Sequence, residues 1–161
     1  MAKIEEKLQQ MGLVLPEPLK VPAGIEVPFS MVIVSGNRAY ISGHAPQNPD
    51  GSIAEPFGKV GGEVSVERAS ELAQLVALSM LGSLKRELGD LDRIKQWLRV
   101  LGMVNVAPGF TMTTPVINGF SKFILTLFGP KCGAHTRSAV GMAVLPLDIA
   151  VEIEAEVEIM P

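Results

Sequence analysis

The sequence contains one cysteine, two histidines and few aromatic residues, and each shortage excludes a class of protein. Cys132 has no second cysteine with which to form an internal disulfide, which fits a reducing compartment. Without histidines and cysteines at ligand spacing, we predict no metal site, and we expect no cofactor. Aromatic residues make up only 5% of the chain, so the core should consist mainly of aliphatic side chains.

The chain also lacks clustered positive charge and long apolar runs. Its net charge is −3 and it has no basic stripe, so we expect no nucleic-acid partner. No apolar run approaches the roughly 18 residues of a membrane span. The N-terminus carries acids where a signal peptide needs a long apolar run. We therefore expect a soluble cytoplasmic protein without a membrane partner.

The 161 residues, 47% of them hydrophobic, are enough for one domain with its own core. Near the N-terminus, Ile4, Leu8 and Met11 have helical spacing and precede a proline-rich stretch. This pattern predicts a helical appendage on a linker. Residues 44–64 are rich in Pro, Gly, Asn and Asp, which makes this long connection a candidate functional loop.

Periodicity predicts an alternation of strands and helices along the rest of the chain. Alternating apolar residues indicate strands at 31–35, 38–43, 94–106, 137–144 and 149–159. Helical spacing predicts one helix from an N-cap at Ser65 to a stop before Gly89, and another over 114–128. This order predicts an α+β fold with helices on one face of a sheet.

The last strand, AVEIEAEVEIM, carries four glutamates at alternate positions: Glu152, Glu154, Glu156 and Glu158. If it forms a hairpin with residues 137–144 across LPLD, Val144 lies opposite Ile149 and Arg137 lies opposite Glu156. Small residues then lie beside the carboxylates and leave a hollow. Two interpretations stay open: a solvated face on which Arg137 pairs with Glu156, or a ligand pocket or subunit contact in which Arg137 grips a carboxylate.

Several segments together resemble the YjgF family, also called the Rid or endoribonuclease L-PSP family. They are HTRSAVGMAVLP followed by VEIEAEVEI, and earlier SGNRAYISGHAP, GDLDRIKQWLRVLGMVNVAPGF and INGFSKF. The resemblance runs from about Pro28 to Ile159, so residues 1–27 form an N-terminal helix and linker extension and 28–161 the domain. It implies a chorismate-mutase-like fold, with a single mixed sheet, two main helices on one face, and a homotrimeric barrel with clefts between subunits.

The resemblance also implies an activity, the hydrolysis of reactive enamines and imines such as 2-aminoacrylate to a keto acid and ammonia. The family's carboxylate-binding arginine falls on Arg137, which would fix the substrate carboxylate. The acidic residue falls on Glu152, which would position water and shuttle protons. Ser42, Gly43 and Asn118 match the remaining family positions around the pocket.

Three positions depart from the family pattern: Phe29 replaces a frequent tyrosine, Ala139 a common cysteine, and His44 a frequent glutamine. We expect all three residues to line the substrate-binding site. Their departure from the family pattern leaves open a second hypothesis, a non-catalytic trimer that binds a small carboxylate metabolite or a partner protein. Ribonuclease activity is a third hypothesis, which the acid-rich last strand disfavours. His44 as a general base, His135 at the pocket mouth, and Glu154 in place of Glu152 also stay open.

Overall fold

The computed structural model describes residues 3–161, and the predicted strands and helices all form there with small shifts at their ends. The strands and helices are α1 (Lys3–Gln10), β1 (Val32–Ser35), β2 (Arg38–His44), α2 (Val66–Leu88), β3 (Ile94–Asn105), α3 (Thr113–Cys132), β4 (Thr136–Met142) and β5 (Val151–Ile159). Short 3₁₀ turns precede β3 and β5.

The five strands form one mixed sheet in the order β1-β2-β5-β3-β4. β3 and β4 run parallel, and the other neighbouring pairs are antiparallel. The long helices α2 and α3 pack against each other and against the strands, and the odd-numbered residues of β5 are buried beneath them. The fold class, an α+β fold with helices on one sheet face, is therefore confirmed. We call the uncovered side, which carries the even-numbered β5 residues, the open face.

The predicted hairpin between the last two strands is wrong. β4 is an edge strand that pairs only with β3 in residues 3–161, whereas β5 lies between β2 and β3. The LPLD segment contains a 3₁₀ turn over Pro146–Asp148 with positive φ angles at Leu147 and Asp148, and it carries the chain across the end of β3. There, Asn105 Nδ2 donates to Asp148 Oδ1 over 2.9 Å. Arg137 consequently lies beside Val100, not opposite Glu156.

The helix ends follow the predicted capping residues. Ser65 Oγ accepts a hydrogen bond from the Arg68 backbone N–H, and Gly89 ends α2 in the left-handed conformation with φ of 78°. In α3, Gly129 interrupts the helical conformation at the predicted stop, and the chain makes one further turn to Cys132. No helix within residues 3–161 has the length and apolarity needed to cross a membrane.

The N-terminal helix, which the sequence predicts as an appendage on a linker, packs against the main body. Ile4 and Leu8 are buried in the core, and the Asp92 carboxylate caps the helix by accepting from the backbone N–H groups of Lys3 and Ile4. Lys7 Nζ donates to the Leu127 carbonyl over 2.9 Å, which ties α1 to α3. The domain boundary near residue 27 stays a prediction.

The close approach of α2 and α3 depends on Gly119. A Cβ atom at this position would lie 2.0 Å from the Ser70 carbonyl oxygen, which belongs to the α2 backbone. We expect Gly119→Ala to lower the free energy of unfolding by about 3 kcal/mol, because the helices must move apart. Denaturant unfolding measures this loss, with the exposed Thr126→Ala in the same helix as control. Since alanine otherwise favours a helix by about 1 kcal/mol, an unchanged or raised stability would refute the close contact.

Candidate functional site

The Arg137 side chain extends from edge strand β4 toward α3. Its Nη1 donates to Asn118 Oδ1 over 2.9 Å and to Ser121 Oγ over 3.0 Å. Asn118 and Ser121 lie one turn apart on the same face of α3. Both protons of Nη1 are therefore used, and the edge formed by Nε and Nη2 is left for a ligand. Partial burial lowers the pKa of Arg137, yet a guanidinium stays protonated at neutral pH.

A surface cavity of about 350 Å³ surrounds this guanidinium, and we call it the arginine pocket. Its lining residues are Asn118, Ser121, Leu125, Ala134, His135 and Arg137. None of them is acidic, and no ion pair of Arg137 occurs within residues 3–161. The pocket therefore offers an uncompensated positive charge, which suits a small carboxylate-bearing ligand.

Ser121 and His135 form a hydrogen-bonded pair beside Arg137. Ser121 Oγ lies 2.8 Å from His135 Nε2, and His135 Nδ1 lies 2.7 Å from the Gly133 carbonyl oxygen. We considered His135 near the pocket mouth from the sequence, and the structure places it in the lining. We did not predict Ser121, although its spacing of three residues from Asn118 on a predicted helix indicates a shared face.

Glu152 lies on the open face, against Gly43. A Cβ atom at Gly43 would lie 2.2 Å from Glu152 Oε1, so only glycine leaves room for this carboxylate in its present position. Burial raises the pKa of Glu152, and the nearby charge of Glu154 raises it further. Glu154 itself is exposed. The geometry thus places Glu152, and not the exposed Glu154, against Gly43.

A separate cleft of about 240 Å³ lies on the open face. Its polar lining includes Ser42, Arg99, Glu154 and Glu156. The Ser42 hydroxyl donates to the Ser30 carbonyl oxygen over 2.7 Å, which fixes the start of β1 beside it. The candidate residues therefore fall into two groups on opposite faces of the sheet: Arg137 with Asn118, and Glu152 with Ser42 and Gly43. One chain does not bring these groups together.

The other three candidate positions differ in their surroundings. His44 is 1% exposed, so the expectation that it contacts a substrate is wrong for this geometry. It is hydrogen-bonded to the Ser42 carbonyl and to Ser83 Oγ, and burial lowers its pKa to about 4, which keeps it neutral. Phe29 precedes β1 and is 58% exposed. Ala139 lies two residues beyond Arg137 on the same side of β4 and is half-buried.

Two carboxylates of the last strand have cationic partners. Glu158 accepts from Lys95 Nζ over 2.9 Å, and this bond is the main reason that the pKa of Glu158 is lowered. Glu156 lies 3.8 Å from Arg38. The charge row is thereby partly neutralised, and Glu152 is the half-buried glutamate that lacks such a pair in residues 3–161.

A cluster of three carboxylates, Glu5, Asp90 and Asp92, has the spacing to hold a cation within the described part of the chain. Each of these groups already has a structural partner. Asp92 caps α1, Asp90 caps the turn before β3, and Glu5 pairs with Lys85 over 2.7 Å. The cluster is explained by its role in attaching α1.

Comparison with known proteins identifies a family and a related sequence for this chain. The family model described as YjgF/chorismate mutase-like, putative endoribonuclease, matches residues 5–157. The chain is 36% identical to protein TCP17 of Trypanosoma cruzi over 157 residues, covering 98% of this chain and 94% of that protein.

Two crystal structures share the fold over nearly the whole chain. A protein of unknown function from Agrobacterium tumefaciens is 38% identical, with a TM-score of 0.84 and coverage of 97% of this chain and 91% of that one. A putative endoribonuclease from Shewanella oneidensis is 27% identical, with a TM-score of 0.86 and coverage of 97% and 99%. The family match and the shared sheet and helices lead to one conclusion: the chain belongs to the YjgF/chorismate mutase-like family.

Proposed function

We propose that the protein hydrolyses reactive enamines and imines of the 2-aminoacrylate type to keto acids and ammonia, at sites formed between subunits of a homotrimer. In each site, Arg137 of one subunit binds the substrate carboxylate, and Glu152 of a neighbouring subunit positions the attacking water and transfers protons. The main observation behind this proposal is that the candidate residues of one chain lie in two separate places. A pre-formed arginine pocket lacks an acid, and a glutamate with a raised pKa lies on the opposite face.

The open face supports the proposed assembly. It exposes apolar side chains that a monomer would leave in water, including Ile33 at 55%, Tyr40 at 43% and Val140 at 36%. Leu101 and Met103 lie partly exposed between them on β3. If the open face of one subunit covers the β4 edge of another, Glu152 approaches Arg137 of that neighbour and the apolar surface is buried.

Imine hydrolysis requires orientation of the substrate and transfer of protons. Arg137 holds the carboxylate through Nε and Nη2, which places the imine carbon at a fixed point. The imine is protonated on nitrogen, and Glu152, as the carboxylate, takes a proton from water while the water oxygen bonds to the imine carbon and the C=N π electrons move to nitrogen. Glu152 then returns that proton to the amine nitrogen of the neutral carbinolamine. As the C–N bond breaks, ammonia leaves, the hydroxyl oxygen forms the C=O bond of the keto acid, and the hydroxyl proton passes to the Glu152 carboxylate and on to the released ammonia. An enamine first takes a proton on carbon to become the imine. General acid–base catalysis of this kind contributes about 10²- to 10⁴-fold.

A second candidate function is carboxylate binding without turnover. It is favoured by the arginine pocket, which is complete on a single chain, and by Phe29 and Ala139 in place of the family's tyrosine and cysteine. Ribonuclease activity, named in the family description, receives no support from the net charge of −3 or from the acidic open face.

The test uses 2-iminopropionate generated from serine by a dehydratase, with imine loss followed in the presence and absence of the wild-type protein. We expect the protein to accelerate the loss at least about tenfold at micromolar concentration. If there is no acceleration, the proposed hydrolysis is rejected. Thermal stabilisation by pyruvate in that case would favour the binding function, because a ligand that binds the folded state raises its stability.

A further inference from the structure

We propose that Ser121 and His135 are positioning residues that hold the Arg137 guanidinium for side-on recognition of a carboxylate through its Nε–Nη2 edge. The inference rests on the proposed carboxylate-binding role of Arg137 and goes beyond it. It assigns a function to a serine and a histidine that lie within the segments INGFSKF and HTRSAVGMAVLP but for which the family resemblance implies no role.

The hydrogen bonds in this cluster have one consistent direction. The Gly133 carbonyl can only accept, so His135 Nδ1 carries a proton and donates to it. In the neutral ring, Nε2 is then an acceptor, and the Ser121 hydroxyl donates its proton there. The lone pairs of Ser121 Oγ consequently face Arg137, whose Nη1 donates to them over 3.0 Å. The histidine thus determines the orientation of the hydroxyl that holds the guanidinium.

The imidazole is itself fixed by the core. Its ring packs edge-to-face against Phe120, with a centroid separation of 6.2 Å and an interplanar angle of 83°. Phe120 is fully buried and also packs edge-to-face against Trp97. The orientation of His135, and through it that of Ser121, is therefore tied to the rigid interior.

The consequence for Arg137 is loss of freedom before a ligand arrives. Asn118 and Ser121 occupy both Nη1 protons, so the guanidinium plane is fixed at two points. The parallel N–H groups of Nε and Nη2 match the two oxygens of a carboxylate. An arginine side chain gives up substantial rotamer entropy on binding, and the cluster removes that cost in advance.

Binding of pyruvate, measured by titration calorimetry on the assembled protein, tests this inference without requiring turnover. We expect Ser121→Ala to weaken pyruvate binding about tenfold, because the guanidinium regains a freedom of movement that ligand binding must then remove. Ser121→Thr keeps the hydroxyl and should stay within about threefold of wild type. His135→Asn keeps a donor for the Gly133 carbonyl, but its shorter side chain places no acceptor at the position of the imidazole Nε2 beside Ser121, so it should also bind about tenfold more weakly. His135→Gln, which can supply the acceptor, should restore most of the affinity.

A matched titration with pyruvamide separates positioning from general packing. Pyruvamide has the size of pyruvate but no charge, so loss of guanidinium orientation should lower the pyruvate-to-pyruvamide affinity ratio about tenfold in Ser121→Ala. Equal weakening of both ligands, or unchanged pyruvate affinity in both Ser121→Ala and His135→Asn, overturns the inference. So does a wild type that binds no pyruvate. If the expected pattern appears but 2-iminopropionate is not hydrolysed, the proposed activity fails and the positioning role stands.

Discussion

Arg137→Ala is expected to lower kcat/KM for 2-iminopropionate at least about 100-fold, equivalent to about 2.7 kcal/mol of transition-state binding. The substitution removes the positive charge of the arginine pocket, and Asn118 and Ser121 bring no charge to replace it. A charge-assisted bidentate contact is among the strongest that a protein makes to a carboxylate. The measurement is the rate of imine loss as a function of substrate concentration.

The control for this variant is Arg68→Ala. Arg68 is a partly exposed arginine of α2 that pairs with Glu71 over 2.7 Å. It matches Arg137 in chemistry but lies outside the arginine pocket, so its loss should change kcat/KM less than about twofold. Equal activities of Arg137→Ala and wild type would show that the substrate does not bind at this guanidinium.

Glu152→Gln is expected to lower kcat about 100-fold with a small change in KM, because glutamine keeps the shape of the side chain but cannot accept a proton. The contact with Gly43 tolerates this replacement, since the size of the head group is retained. The control is Glu154→Gln, which changes an exposed carboxylate two residues away on the same face. A large loss in Glu154→Gln with none in Glu152→Gln would reverse the assignment.

The pH dependence gives a second check on Glu152. Burial raises the pKa of Glu152, so the acidic limb of the rate profile should lie above that of an ordinary glutamate and disappear in Glu152→Gln. The free energy of unfolding should also depend on protonation of Glu152. A carboxyl with a raised pKa in the folded state binds more protons than in the unfolded state, so stability falls as pH rises through that pKa. Glu152→Gln should remove this fall, as denaturant unfolding at several pH values would show.

The strands and helices were predictable because their signals are local. Period-two alternation identified β3 and β5, and Ser65 and Gly89 marked the ends of α2. The strand order was not predictable in this way. The hairpin register paired chemically compatible residues, but local compatibility does not specify which strands become neighbours. The positive φ angles at Leu147 and Asp148 and the parallel β3–β4 pairing arise from the tertiary structure.

Local sequence signals were likewise insufficient to predict the arrangement of the candidate site. Arg137 and Asn118 are close, as the family resemblance implied, because the parallel β3–β4 pairing sets β4 beside α3. Arg137 and Glu152 are separated, because the hairpin on which their shared face depended does not form. His44 faces the core because a β-bulge between Ile41 and His44 adds one residue to β2 and reverses the side on which the following side chains lie.

The most direct test of the shared site is co-expression of Arg137→Ala with Glu152→Gln in equal amounts. Each variant alone should have about 1% of wild-type activity. In mixed trimers, some sites combine an intact Arg137 from one subunit with an intact Glu152 from its neighbour, and random assembly should restore about a quarter of wild-type activity. Activity of the mixture no higher than that of either variant alone would contradict a site shared between subunits.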